Sequence, residues 1–378
     1  MTKKHIGMLT LALLLTVSGC APSLDDETKV IQNTEEEETK TVIIPSLQLD
    51  ETYYRTLLPY EESASKGLVL SNLSTKYDMK EVETGLLRIS QNEFSPDKYL
   101  FQEGQYLDTT TLKKWLARSN QAEGGLNPDD KGLTGEEKAQ KAPVYITHIV
   151  EQNYLEKVDN KVSLSGISIG LALNSTYYYT KEKYGATYEE KLSQAQIEEN
   201  GRRIAEEVVT RLRKIDGLAD IPIVVGLFKQ NSRNAVVPGT YFSYSTAPAG
   251  KNVSDWKGND EEYILFPTAE SEEKYRDLDT IFRNFKMDVE TYFPNYTSII
   301  GTGYFKDKQL QKWTITIPIQ FYGTAEIIGF TQYLAGLVKD HFNPSMNVEL
   351  QVNSLDGAEA LLVKKTGDEE AYVHIYTQ

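Results

Sequence analysis

The chain has 378 residues, 25% of them charged and 40% hydrophobic, proportions of a globular protein that exclude wholesale disorder and a polytopic membrane protein. Its formal net charge of −15 argues against nucleic acid as a partner, because such a surface needs basic patches to neutralise phosphates. The single cysteine, Cys20, excludes an internal disulfide and a cysteine-rich zinc site.

Lys3 and Lys4 form a short basic start, and Ile6 to Val17 is a mostly apolar run without formal charge. A membrane-spanning helix needs about 20 apolar residues. This run is shorter and has the size of the apolar region of a signal peptide. It ends in Val17, Ser18, Gly19 and Cys20, an aliphatic residue and two small ones before a cysteine. That ending resembles the bacterial lipobox at all four positions. Small residues let a peptidase reach the backbone beside the bond it cuts, and the thiol carries the lipid. Cleavage between Gly19 and Cys20 then leaves lipidated Cys20 as the N-terminus. A single acyl chain holds only marginally, at about 0.8 kcal/mol per buried CH₂, so the two chains of a diacylglyceryl group are what firm anchoring requires. The partners expected here are membrane lipid, reached through diacylglyceryl-cysteine, and the lipoprotein signal peptidase. The expected location is the outer face of the cell membrane.

Residues 20–50 form the lipidated start and a linker in which Asp25, Asp26, Glu27 and Glu35 to Glu38 dominate. Low hydrophobicity with a run of like charge reads as a disordered tether. About 30 flexible residues would span on the order of 30 Å.

The folded body is expected from residue 51. Asp78 stands before Met79, Val82, Leu86 and Ile89, which is helical spacing behind a capping residue. Residues 99–107 read as extended, and Thr109 to Thr111 cap a short helix through Leu112, Trp115 and Leu116. Residues 120–142, rich in Gly, Asn, Asp, Lys and Glu, read as a mobile loop or boundary. Two similar blocks follow, at 143–258 and 259–378, after an N-terminal mixed region at 51–142. Val162 to Leu173 alternates like a strand, a helix runs through Ile204, Val208, Leu212 and Ile215, and strands at 221–228 and 241–245 follow. In the second block Trp313 to Tyr322 is strand-like, a helix runs through Phe330, Leu334, Leu337 and Val338, and strands follow at 347–353, 359–364 and 371–376. A helix at 271–292 and a strand at 297–305, turning at Asp307-Lys308, lie between the blocks. We read a diverged duplication of a strand–helix–strand–strand unit, whose first copy carries an insertion at 174–195. The fold class expected is α+β with two lobes.

Several motifs invite a chemical reading. Gly166-Ile167-Ser168-Ile169-Gly170 fits G-x-S-x-G, but strand alternation continues through Leu173, where a nucleophile elbow needs an immediate helix. The expected reading is a strand with small residues on one face and a bulge at Gly166. Asn127 to Gly132 approaches a calcium loop but puts Lys131 and Lys138 where ligands are due. His148, His341 and His374 form no short metal spacing and read as satisfied structural or surface residues. Glu198, Glu199, Glu206 and Glu207 beside Arg202, Arg203 and Arg211 read as a solvated, salt-bridged helix face. No cofactor, metal or catalytic residue is assigned. Tyrosine is abundant, with 24 against 12 Phe, and Tyr177, Tyr178 and Tyr179 crowd the insertion. Tyr pairs an apolar face with a polar tip and suits wet binding surfaces, so these three are the candidate ligand-binding residues.

The lipobox, the acidic linker, the GISIGLAL strand and the WTITIPIQFYG segment with its helix together resemble the CamS family of Gram-positive lipoproteins, the sex-pheromone precursors. The resemblance implies a hydrophobic pheromone peptide released from the end of the signal peptide, which here is Ala12 to Gly19 (ALLLTVSG). It brings no catalytic residues. The function expected is a non-enzymatic extracytoplasmic lipoprotein; the alternatives are a module binding an envelope polymer or peptide through the Tyr-rich insertion, and an envelope hydrolase.

Overall fold

In the computed structural model the described residues are 28–33, 39–63, 66, 73, 75–292, 299–320 and 323–376. Val17, Ser18, Gly19 and Cys20 lie outside them. Within the expected tether, β1 (Thr28–Asn33) and β2 (Thr39–Ile44) pair as antiparallel strands. The reason is local. Thr41, Val42, Ile43 and Ile44 are all β-branched and fit a pleated surface, whereas the acidic run that dominates the composition falls between the strands.

β3 (Arg55–Thr56) leads to α1 (Lys76–Ser90). Thr75, not Asp78, is the cap: its hydroxyl accepts the Asp78 N–H at 3.1 Å. Asp78 sits three residues in, and its carboxylate accepts from the Thr75 hydroxyl at 2.9 Å and from the Gly239 N–H at 2.7 Å. The same side chain that signals a helix start thus pins the helix to a distant loop. β4 (Leu100–Glu103), α2 (Thr109–Leu116) and α3 (Gly135–Lys141) follow. Residues 120–142 are therefore not simply a loop. Asn127 is buried, donates to Leu116 and Ile146 carbonyls at 2.8 Å, and accepts the Tyr145 and Ile146 N–H at 2.9 and 3.0 Å. A residue type that favours loops here cross-links two segments through its own amide.

β5 (Ile146–Val158) and β6 (Lys161–Leu173) form a long hairpin; β7 (Thr176–Thr180) and β8 (Thr187–Lys191) form a short one. Then come α4 (Gln194–Leu212), β9 (Ile223–Lys229), β10 (Thr240–Ala247) and β11 (Lys257–Gly258). The first sheet runs β11-β10-β9-β6-β5-β4-β3, with β1 joined to β6. Strand alternation sends Ile167, Ile169, Leu171 and Leu173 to a core with Ile204, Val208 and Leu212 of α4, while Ala172 meets Val82, Leu86 and Ile89 of α1 on the other face.

At one end the first sheet closes on itself. β1 pairs in parallel with β6 at Ile31↔Lys161, and Ile43 of β2 exchanges backbone bonds with Leu58, in the segment that carries β3 beside β4. The ring β6–β1–β2–β3–β4–β5–β6 encloses Val42, Ile44, Leu57, Leu100, Leu155 and Val162. The hairpin of β1 and β2 thus covers edges that would otherwise be open to water and to pairing with other chains.

The second lobe holds β12 (Glu261–Phe266), α5 (Ala269–Lys274), α6 (Arg276–Tyr292), β13 (Ile300–Lys306), β14 (Gln309–Pro318), α7 (Thr324–His341), β15 (Val348–Asn353), β16 (Ala358–Lys364) and β17 (Tyr372–Ile375). Its sheet runs in chain order from β12 to β17 around fully buried Trp313, which contacts Phe266, Phe282 and Phe342. The two lobes follow one plan. In each, an antiparallel hairpin (β5–β6, β13–β14) leads through a helix to a parallel strand (β9, β15) and then an antiparallel one (β10, β16). Strands β4 and β12 flank the hairpins in the same way. The fold is α+β, and β7–β8 occupy the insertion of the first copy.

Candidate functional site

The insertion is a two-stranded ribbon, with Tyr177 opposite Glu190 and Tyr179 opposite Tyr188. Residues two apart share a face. The rings of Tyr177 and Tyr179 accordingly stack 6.4 Å apart, and Tyr179 lies 5.7 Å from Tyr188. Tyr178 faces the other way. The Arg233 guanidinium lies 4.1 Å from its ring centroid, and the Arg233 N–H donates to its hydroxyl at 3.0 Å. A cation over a tyrosine face is held by the ring quadrupole. Arg118 donates to the Tyr177 hydroxyl at 3.3 Å.

These residues border an open groove of about 360 Å³ lined by Tyr177, Tyr178, Tyr179, Lys138 and Arg233, together with Gly135, Thr180 and Thr187. Asp130 lies behind it, bonded to Lys138, to Asn120 at 2.9 Å and to Arg118 at 3.2 Å. Its carboxyl is held down to about 2, first by the Lys138 bond, then by Asn120 and the nearby Arg118. Arg233 has no carboxylate partner among the described residues. The groove thus sets Lys138 and Arg233 beside three tyrosines. All three predicted tyrosines reach it, though not from one side. Sequence reasoning missed Arg233 and Lys138: one sits in an irregular loop, the other on a short helix, and only the tertiary fold brings them to the ribbon.

The other motifs resolve as packing. Ser168 is buried and bonded to the Ser90 hydroxyl at 2.7 Å. A Cβ at Gly166 would stand 2.2 Å from the Phe94 ring, and one at Gly170 2.2 Å from the Tyr241 hydroxyl. The two glycines of G-x-S-x-G thus make room for aromatic rings under the sheet, and the bulge falls beside Gly166. Asp130 is engaged by Lys138 and Arg118, and among the described residues no group of three or more His, Cys, Asp or Glu is placed to hold a metal. Glu198–Arg202 and Glu207–Arg211 pair along α4 as expected. His341 pairs with Asp288 at 2.7 Å, and His374 packs edge-on to Tyr376. His148 departs from expectation: it is fully buried, and neither ring nitrogen has a partner among the described residues. Burial alone pushes its pKa down to about 4.

A family model described as the CamS sex pheromone cAM373 precursor matches residues 60–370. The chain belongs to the CamS family. Among solved structures, the crystal structure of a sex pheromone precursor from Lactobacillus salivarius subsp. salivarius is 33% identical, covers 88% of this chain and 98% of its own, and superposes with a TM-score of 0.82. The C-terminal domain of the sex pheromone staph-cAM373 precursor from Staphylococcus aureus is 32% identical, covers 82% of this chain and 100% of its own, with a TM-score of 0.72. Among curated proteins none matches. No helix among the described residues of this CamS chain is long and apolar enough to cross a membrane.

Proposed function

We propose that this CamS protein is an exported lipoprotein, held on the outer face of the cell membrane by a diacylglyceryl group on Cys20. Its cleaved signal peptide supplies a pheromone peptide, and its folded body binds rather than catalyses. The observation that carries the reading is the sole cysteine standing at the end of Val17-Ser18-Gly19-Cys20 in a chain of the sex pheromone precursor family. Cells fed an alkyne-bearing palmitate are expected to label the wild-type protein, and Cys20→Ser to lose all label and enter the medium. Equal labelling of the variant would refute the anchor. Synthetic ALLLTVSG is expected to induce plasmid transfer in responder cells at nanomolar dose; silence at micromolar dose would leave a lipoprotein without a signal.

The Tyr-rich groove favours a second role for the body, binding an envelope polymer or peptide. Rigid tyrosines give contact area at low entropic cost, and an insertion that interrupts an otherwise repeated plan is where added function concentrates. Wall fragments are expected to bind the protein, and Tyr177→Ala with Tyr178→Ala and Tyr179→Ala to weaken that binding at least tenfold in a sedimentation assay. Undiminished binding would remove the ribbon from the interaction.

A further inference from the structure

The groove contains an unused strand edge. The Leu192 N–H donates to the Ser175 carbonyl at 2.9 Å, one step beyond the Thr176↔Lys191 pair. In an antiparallel ladder, bonded and non-bonded pairs alternate. Tyr177↔Glu190 and Tyr179↔Tyr188 are therefore the bonded pairs. The backbone N–H and C=O of Tyr178, with those of Thr176 and Thr180, point away from β8. On that side β7 has no neighbour, because it pairs with β8 alone among the described strands. Neither the N–H nor the C=O of Tyr178 has a partner among the described residues. Such an edge is a template for an added strand.

The walls of the groove say what that strand carries. Lys138 and Arg233 both line the groove. Arg118 and Lys138 share Asp130, while Arg233 rests on the Tyr178 ring without a carboxylate. Glu189 stands opposite Tyr178 and Glu190 opposite Tyr177 on β8, and Arg233 is the lining cation with no ion-pair partner among the described residues. Edges that must stay unpaired are commonly protected by a short length, a bulge or a covering segment. Here α3 packs against β7 and the Arg233 guanidinium covers the Tyr178 ring, with the groove bordered by both.

We propose that β7 takes an extended peptide as a third strand of the ribbon, with an acidic side chain of that peptide set against Arg233. This rests on reading the ribbon as a binding element and narrows it to one ligand chemistry. The edge presents amide groups at strand spacing, which a peptide matches along its length. A polyol phosphate supplies the negative charge but no repeating N–H to meet the Tyr178 carbonyl.

The test uses the full chain in detergent and a fluorescent Val/Thr-rich peptide with one central glutamate, read by anisotropy. Three losses of about tenfold or more are expected: on changing the glutamate to lysine, on N-methylating the peptide backbone beside it, and on Arg233→Ala. The Tyr178 amide is expected to gain protection from hydrogen exchange when the peptide is added. Equal binding of the lysine or the N-methylated peptide overturns the proposal. Binding of polyol phosphate without any peptide binding also overturns it, yet leaves the ribbon a binding element. Failure of both, with wall binding unaffected by the tyrosine changes, overturns the inference and the reading beneath it.

Discussion

Arg88→Ala is expected to destabilise the protein by about 3 kcal/mol, through the junction of its two lobes. Arg88 lies on α1 and reaches Glu81 on its own helix and Glu261 of β12 at 3.0 Å. Its guanidinium stands 4.8 Å from the Tyr304 ring of β13, and Tyr263 donates to Glu81 at 2.8 Å. Burial opposes the charge on Arg88, but Glu81 and Glu261 outweigh it and raise its pKa. Both carboxylates are buried, with Glu261 only 1% exposed in its side chain. Removing the arginine leaves two buried negative charges facing each other, and breaking a buried pair costs about 3–5 kcal/mol; the lower end applies because Arg88 retains some contact with water. Urea unfolding measures it. Arg88→Met combined with Glu81→Gln and Glu261→Gln is expected to recover most of the loss, since neutral groups of similar size remove the charge without the cavity. A single variant within 0.5 kcal/mol of wild type, about the scatter of surface substitutions, would dismiss the cluster as a determinant of stability.

A second large effect comes from His148 and acid. The ordinary histidine value of 6.5 is lowered to about 4 in the fold, by burial alone. The folded state therefore keeps the ring neutral where the unfolded chain would protonate it. As pH falls through 6.5 the unfolded state takes up the proton first, and stability drops until about pH 4, where the folded state titrates as well. At 1.36 kcal/mol per pKa unit the loss is about 3 kcal/mol. Carboxylates titrate in the same region, so the comparison is with His148→Leu. The leucine variant is expected to lose about 3 kcal/mol less than wild type between pH 6.5 and 4, measured by urea unfolding at each pH. Parallel pH profiles would show that His148 takes its proton in the fold as readily as in the open chain.

Much of the fold was legible in the sequence because its two periods are strong. The Ile167, Ile169, Leu171 alternation and the Ile204, Val208, Leu212 spacing each define a face, and both faces found the same core. The repeated plan was legible from element order alone. Three features were not. β1 and β2 were hidden by the acids between them, because composition averaged over a segment conceals a short β-branched run. Asn127 and Asp78 looked like loop and cap residues, since a sequence shows what a side chain favours locally and not the distant backbone it reaches. The unpartnered ring of His148 was invisible for the same reason. At the candidate site, the tyrosines were legible as a cluster. The cations were not, since Arg118, Lys138 and Arg233 are far apart in the chain and meet only where the ribbon lies against α3.

The pairing of β1 with β6 also shortens the chain that leads from Cys20 to the folded body. On the proposed anchor at Cys20, residues 21–27 would separate the lipid from β1, a reach of at most about 25 Å for a fully extended chain. β1 meets β6 at Lys161, and from there β6 runs 13 residues, about 40 Å, to Leu173. The tyrosine ribbon begins just beyond that end. On the proposed anchor, the Lys161 end of β6 would lie within that reach, and the ribbon would lie at the far end of the strand.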